Sequence, residues 1–580
     1  MFKKNLITIT KRGTAILLAA IIAATSITGC GKSAAMESPS ASTSESTRRE
    51  GRDNTAPEAY TETEMASDVA EASYDSGVNS KDAAAFAPAA GYYDIDESDY
   101  DLYYYGNERY EYNEENGFQD VYENPLSTFS ADVDTASYSN IRRMIEDGYS
   151  LDMIDPAAVR AEEFINYFSY DLNDPKRGDK FGITTEVSTC PWNEDNYLMM
   201  VGMKTKDIDL DKMPSQNLVF LLDVSGSMNS EDKLPLLQKS FKQLTRNLSK
   251  DDTISIVTYA SGVKTVLRGA KGSEKQKIYD ALDSLYASGG TNGEGGIQRA
   301  YDLAEKYFIK NGNNRVILAT DGDLNIGISE PEELEKFISE KKESGVYLSV
   351  LGFGTGNIRD DNMEKLADSG NGNYAYIDSI REARKVLVKE MGATLETVAE
   401  DVKLQVEFNP ENVSEYRLIG YENRTMAARD FNDDTKDAGE IGAGHSVVAL
   451  YEIVPADSDD GIELKYQKEK YDDTKETKKS GEYSDEFATV SVRYKEPGES
   501  DSDLFSILVK TDDFNKKASD SLRFAGAVAE FSMILSRSAY ASEITFEDVL
   551  DSLKGVEIDD EYKEEFVYLV GEMADRGYDE

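Results

Sequence analysis

Apolar and polar positions change rhythm several times along the chain, and each change marks a boundary. Residues 15–27 form a short apolar run behind Lys3, Lys4, Lys11 and Arg12, the pattern of an export signal. Residues 33–90, rich in Ser, Ala, Thr and Glu, hold no sustained apolar period, so a disordered tether is expected. From Tyr92 to Tyr122 tyrosines mix with acids and asparagine, which reads as a solvated acidic spacer. It ends at the turn signal Glu123-Asn124-Pro125, where ordered structure is expected to begin. Residues 140–168 take a helical period. Asp155-Pro156 supplies an N-cap and a first-turn proline, and Val159, Phe164, Ile165 and Phe168 fall largely on one face. Strand patterns follow at 183–190 and 197–204, around the turn Pro191-Trp192-Asn193.

Between Leu218 and Glu390, apolar runs at 218–222, 254–257, 316–319 and 347–351 alternate with helical stretches. Runs without a polar face belong to strands covered on both sides. The alternation therefore predicts an α/β domain with a doubly wound, mostly parallel sheet and ligands at its carboxyl edge. Beyond it, 402–408, 446–453 and 489–494 read as strands. Strands on both flanks predict a β-sandwich into which the α/β domain is inserted. From Ser519 the pattern is helical, with Thr545-x-x-Asp548 as a cap and Phe566, Leu569 and Val570 as a core stripe. The highly charged stretch 465–479 reads as a solvated hairpin tip.

Charge and cysteine usage narrow the function classes. The 63 Lys and Arg against 111 Asp and Glu give a net charge of −48 over 580 residues. Such a field repels phosphate backbones, which excludes nucleic acid, and favours cations and basic partners. Two cysteines, Cys30 and Cys190, and one histidine, His445, cannot assemble a Cys/His zinc site. A lone histidine beside strands reads as structural. Ile27-Thr28-Gly29-Cys30 resembles a bacterial lipobox, whose cysteine is acylated and becomes the new N-terminus. That resemblance implies a lipoprotein signal peptide over 1–30 with Cys30 lipidated. It also implies a mature protein held at the extracytoplasmic face of the cell membrane by its lipid alone, with Cys190 an unpaired core thiol. The expected map is then a tether at 31–117, a helical region at 118–180, and the first part of the sandwich at 181–213. The α/β domain occupies 214–392, the second part of the sandwich 393–512, and a helical region 513–580.

The candidate chemistry sits at strand ends. The run 218–222 leads into Asp223-Val224-Ser225-Gly226-Ser227, whose short oxygen-bearing side chains at alternate positions can turn toward one point. Gly226 lets the loop fold tightly. Thr291 lies in the loop Ser288-Gly289-Gly290-Thr291-Asn292-Gly293, and the strand 316–319 ends in Thr320-Asp321-Gly322-Asp323. An all-oxygen donor set suits Mg²⁺, Mn²⁺ or Ca²⁺ and is poor for zinc or copper. Asp321, Asp323, Asn325 and Glu332 have EF-hand spacing, but Ile326 replaces the required glycine and a strand replaces the preceding helix. Gly352-Phe353-Gly354-Thr355-Gly356 lacks the full dinucleotide fingerprint, so no nucleotide is expected. Asp132 and Asp134 read as turn and cap residues.

Asp223, Ser225, Ser227, Thr291 and Asp321, in this order and context, resemble the metal-ion-dependent adhesion site of the von Willebrand factor type A domain. The resemblance spans about residues 216–389. It implies that the serines, often with the threonine, bind the ion directly, that the aspartates hold it directly or through water, and that one position stays open for a partner's carboxylate. Asp323 and Asn292 are expected to stand behind these ligands. Residues 124–129, 162–168 and 415–424 further resemble bacterial lipoproteins that carry a type A domain between characteristic flanking regions. The expected function is a cell-surface protein, not an enzyme, that binds a partner's Asp or Glu through Mg²⁺ (or Mn²⁺ or Ca²⁺). One alternative is an assembly or scaffolding factor in an envelope complex using the same contact. A metal-dependent hydrolase is a weaker alternative, because no histidine lies between Leu218 and Glu390 to serve as base.

Overall fold

The computed structural model describes residues 108–207, 212–290, 294–322, 331–456 and 483–576. The signal segment with Cys30, the tether to residue 107 and the charged stretch 465–479 lie outside the described residues. In chain order the first elements are β1 (Gln119–Asp120), β2 (Leu126–Ser130), α1 (Ala136–Glu146), α2 (Ala161–Asn166), β3 (Phe181–Thr189) and β4 (Tyr197–Thr205). The α/β domain follows with β5 (Gln216–Asp223), α3 (Leu234–Asn247), β6 (Thr253–Tyr259), β7 (Val263–Lys271), α4 (Lys275–Asp283) and α5 (Glu294–Lys306). It continues through β8 (Asn313–Thr320), α6 (Pro331–Lys342), β9 (Tyr347–Phe353), α7 (Asp360–Ser369) and β10 (Tyr374–Ile377), and closes with α8 (Ile380–Arg384) and α9 (Met391–Leu395). The last part contains β11 (Thr397–Phe408), β12 (Val413–Ile419), β13 (Gly439–Gly442), β14 (Ser446–Pro455), β15 (Glu486–Lys495) and β16 (Ser502–Lys510). Helices α10 (Asp520–Leu535), α11 (Phe546–Ser552) and α12 (Glu561–Asp575) end it.

The inserted domain is a six-stranded sheet in the order β10-β9-β8-β5-β6-β7. Every pair is parallel except β6 with β7. Leu218, Phe220 and Leu222 pack into one helical layer and Val219 and Leu221 into the other, which is why this strand reads as an unbroken apolar run. The flanking segments close around the insertion. β4 pairs antiparallel with β14, Lys204 opposite Ser446, in a sheet ordered β1-β12-β14-β4-β3. A second sheet, β13-β11-β15-β16 with β2 alongside β11, packs on it. Met199, Val201 and Met203 of β4 face that second sheet, whereas Leu198 and Met200 face the helices α1, α2 and α10–α12. Three layers thus bury both faces of β4 and β14. Cys190 is a buried free thiol in the helical interface. Among the described residues no helix is long and apolar enough to cross a membrane.

The N-terminal region departs from expectation in three ways. Residues 118–180 are not purely helical, because β1 and β2 are recruited by β12 and β11. Ordered structure begins before the 123–125 turn: the Arg109 N–H donates to the Ile358 carbonyl (2.9 Å) and Asn140 donates to the Tyr110 hydroxyl (2.7 Å). The end of the tyrosine strip is therefore docked on the α/β domain. Asp155 does accept from the Ala157 N–H (2.9 Å), but it caps only the 3₁₀ turn Pro156–Ala158. Helix α2 waits until Ala161, because Val159 and Arg160 stay extended and the Arg160 N–H is taken by Ser137 Oγ (2.9 Å). By contrast, Thr545 and Asp548 form the expected reciprocal capping box.

A buried ionic seam joins the insertion to its frame. Arg142, 2% exposed, binds Asp378 through Nε and Nη2 (both 2.7 Å), Glu382 (2.7 Å), Glu565 (3.0 Å) and the Tyr167 hydroxyl (2.7 Å). Arg160 reaches Glu163 and Asp360, and Arg424 contacts Asp132 (3.0 Å), Glu364 (3.0 Å) and Asp368 (2.5 Å). Asp132 does make a turn hydrogen bond, from the Asp134 N–H (2.9 Å), whereas Asp134 accepts from the distant Tyr374 N–H (2.9 Å), and both serve this seam. His445 lines a cavity of about 340 Å³ with Lys385, Lys389 and Glu390, and burial pushes its pKa down.

Candidate metal centre

The sheet order reverses between β5 and β8: the chain proceeds outward from β5 to β6 and β7, and in the other direction from β8 to β9 and β10. Strands diverging from such a point leave a crevice at their carboxyl ends, where α/β sheets bind ligands. Asp223 ends β5 and Asp321 follows β8 directly, so both carboxylates face this crevice from adjacent strands. Their side chains are buried, as is Ser225.

Local hydrogen bonds shape the loop after β5. The Ser225 N–H donates to Asp223 Oδ1 (2.8 Å), a turn that bends the chain back over the carboxylate. Thr320 Oγ1 donates to Asp223 Oδ2 (3.4 Å) and accepts from the Gly322 N–H (3.2 Å). The Ser225 and Ser227 hydroxyls stand 3.0 Å apart, bringing the alternate oxygens together. Gly226 allows a close approach: its N–H donates to the Gly289 carbonyl (2.9 Å), and a Cβ would stand 3.1 Å from that oxygen. The Ser288 N–H donates to the Val224 carbonyl (2.8 Å), so the loop that leads to Thr291 is clamped against the serine loop. Thr291, Asn292 and Asp323 themselves lie outside the described residues.

The charge balance is uneven. Burial raises the Asp223 pKa to about 6, and Asp321 adds repulsion, against hydrogen bonds from Ser225 and Thr320 that lower it. Asp321 Oδ2 accepts from the Lys233 ammonium (2.9 Å), while Oδ1 is buried with no hydrogen-bond partner among the described residues. Among the described residues Lys233 is the one cation paired with this two-carboxylate pocket. Two aspartates, two hydroxyls and an orphaned carboxylate oxygen fit a hard dication such as Mg²⁺.

Lys233 is the charged residue of this pocket that stands outside the sequence motif. A signal was present: lysine opens helix α3, where the positive end of the helix disfavours a cation, so a lysine placed there needs a compensating carboxylate.

Comparison with known proteins assigns the α/β domain and its C-terminal flank to described families. The model of the von Willebrand factor type A domain matches residues 217–389, and one described as von Willebrand factor matches 104–200. A third, described as the C-terminal region of the uncharacterized protein YfbK, matches 393–575. The uncharacterized protein YfbK of Escherichia coli strain K12 is 41% identical over 479 residues, 81% of each chain. Inter-alpha-trypsin inhibitor heavy chain H3 of Mesocricetus auratus is 27% identical over 165 residues, 27% of this chain and 18% of that one. Among solved structures, a von Willebrand factor type A protein from Catenulispora acidiphila is 16% identical with a TM-score of 0.36, covering 68% of this chain and 93% of that one.

Proposed function

Since this chain belongs to the family of Escherichia coli YfbK, as a von Willebrand factor type A protein, we propose that it is a surface protein that binds a protein partner through a dication. The ion, Mg²⁺ in this reading, is held by Asp223, Ser225, Ser227, Thr291 and Asp321, and Cys30 carries the lipid that anchors the chain at the extracytoplasmic face of the cell membrane. Protein interaction is the general role of such domains, as in the inter-alpha-trypsin inhibitor relatives. The observation that carries the finer reading is the buried charge deficit, two carboxylates facing one ammonium at the carboxyl edge of the sheet.

A dication bound there supplies an open coordination position for an incoming carboxylate. The chain's own groups make that position attractive. Ser225 and Ser227 contribute neutral oxygens, which leave the ion's charge incompletely cancelled. Asp223 is fixed in place by the Ser225 N–H and the Thr320 hydroxyl. Asp321 shares its negative charge with Lys233. In an otherwise strongly acidic protein, this edge would present a locally positive point to an acidic side chain.

The test uses the full chain in detergent. Calorimetry should record one Mg²⁺ per wild-type chain and none for Asp223→Ala. Immobilised wild-type chain should retain a partner from envelope and extracellular extracts in Mg²⁺ but not in EDTA. A partner from the envelope itself would point to scaffolding, and one from the surroundings to adhesion. Retention that is equal in Mg²⁺, in EDTA and with Asp223→Ala refutes the proposal.

A further inference from the structure

Lys233 makes the candidate centre unusual in its own charge, because a side chain of the protein already occupies one oxygen of a predicted metal ligand. Its side chain is 7% exposed, and the Asp321 side chain that its ammonium meets at 2.9 Å is fully buried. The contact is built rather than incidental. The aliphatic stem runs directly over Gly354, where a Cβ would come within 2.2 Å of Lys233 Cγ. The Lys233 backbone is pinned as well: its N–H donates to the Ser230 carbonyl (3.1 Å), and its carbonyl accepts from the Leu237 N–H (2.8 Å). The lysine therefore starts helix α3 with its stem in a channel that ends at Asp321.

Electrostatics then favours one role. A buried carboxylate pair with no cation is strongly unfavourable, and one ammonium relieves part of that cost. The same ammonium repels a dication brought into the pocket and holds Asp321 Oδ2 away from it. On the reading of the pocket as a cation site, which this inference rests on, we infer that Lys233 is a resident counter-ion. It keeps the pocket folded without metal and sets the concentration of dication needed to fill it. The role is one of tuning affinity, and Lys233 itself coordinates nothing.

The experiment compares the full chain as wild type, Lys233→Met and Lys233→Arg. Mn²⁺ uptake is measured by electron paramagnetic resonance, with thermal melting in EDTA and in saturating Mg²⁺. Lys233→Met should bind Mn²⁺ at least about tenfold more tightly than wild type, since a unit charge a few ångströms away in a protein interior is worth that much or more. It should also melt below wild type in EDTA and regain the difference in Mg²⁺. Lys233→Arg keeps the charge and should stay within about threefold of wild-type affinity. Unchanged or weaker Mn²⁺ binding by Lys233→Met overturns the inference while leaving the metal site standing. So does a Lys233→Met chain that fails to fold in both EDTA and Mg²⁺, because the dication should replace the missing charge. If no variant, wild type included, takes up Mn²⁺, the metal site and the inference fall together.

Discussion

Replacing Arg142 with methionine should detach the inserted domain from its frame more severely than any surface change. The guanidinium is 2% exposed and serves three separate segments: Asp378 and Glu382 of the insertion, Glu565 of helix α12, and the Tyr167 hydroxyl beside α2. Methionine keeps most of the apolar stem, so packing loss is small. What remains are carboxylates that are 4%, 1% and 9% exposed and have lost their shared cation. Glu565 keeps Arg381 (2.6 Å), so the orphaned charge is concentrated on Asp378 and Glu382. Breaking a buried ion network by removing one partner typically costs about 3–5 kcal/mol. Guanidinium chloride unfolding at pH 7 measures the change, with two probes. The single tryptophan, Trp192, reports on the frame, since its indole N–H donates to Glu452 (2.9 Å), and far-UV circular dichroism reports on the whole chain. A loss under about 1 kcal/mol, the value of exposed ion pairs, would refute the reasoning.

Two further outcomes follow from the seam and the pocket. Burial lifts the Glu364 pKa from 4.5 to about 8 despite Arg160 and Arg424, so the folded state holds a proton that the unfolded state releases. That contribution is complete below pH 4.5 and is lost as pH rises through about 8. Glu364→Gln should therefore gain stability relative to wild type across this window in parallel denaturant titrations, and a flat difference would contradict the assignment. Gly354→Ala places a Cβ in a left-handed backbone (φ +73°) against the Lys233 stem and should cost about 1–3 kcal/mol, read as a lower denaturation midpoint. A midpoint unchanged from wild type would mean that the stem can move aside freely.

The legible parts of the molecule are those whose signal is local. The run from Leu218 to Leu222 is apolar on both faces because both faces are covered, and the Asp223-Val224-Ser225-Gly226-Ser227 spacing is a single turn of backbone. β4 and β14 were readable for the same reason, although their pairing joins residues on opposite sides of the insertion. The seam was not readable. Arg142 and Arg160 look like ordinary charges on a helical stretch, and their partners lie 236 and 200 residues away. Nothing in a short window distinguishes a guanidinium that will be buried among distant carboxylates from one that faces water. The end of the tyrosine strip is equally illegible, since the Tyr110 hydroxyl meets the amide of Asn140, 30 residues away in α1. Lys233 is illegible for a different reason, since it stands six residues past Ser227 at the start of helix α3 and reaches Asp321 only through the fold.

The pairing of β4 with β14 also dictates an order of events as the chain is made. Lys204 leaves the ribosome about 240 residues before Ser446, its opposite number, which at 5–20 residues per second is a wait of roughly 10–50 s. During that interval the β3–β4 hairpin has no third strand, and an edge that includes Met199, Met200 and Val201 stays open, while the whole insertion can fold. In chain order the nested domain is thus complete before the strand that seals the surrounding sheet is available. A chain ending between residues 392 and 446 would keep the whole Asp223–Ser227 loop and Asp321 and still expose that open edge. Isolating the insertion cleanly thus requires removing residues 181–205 as well.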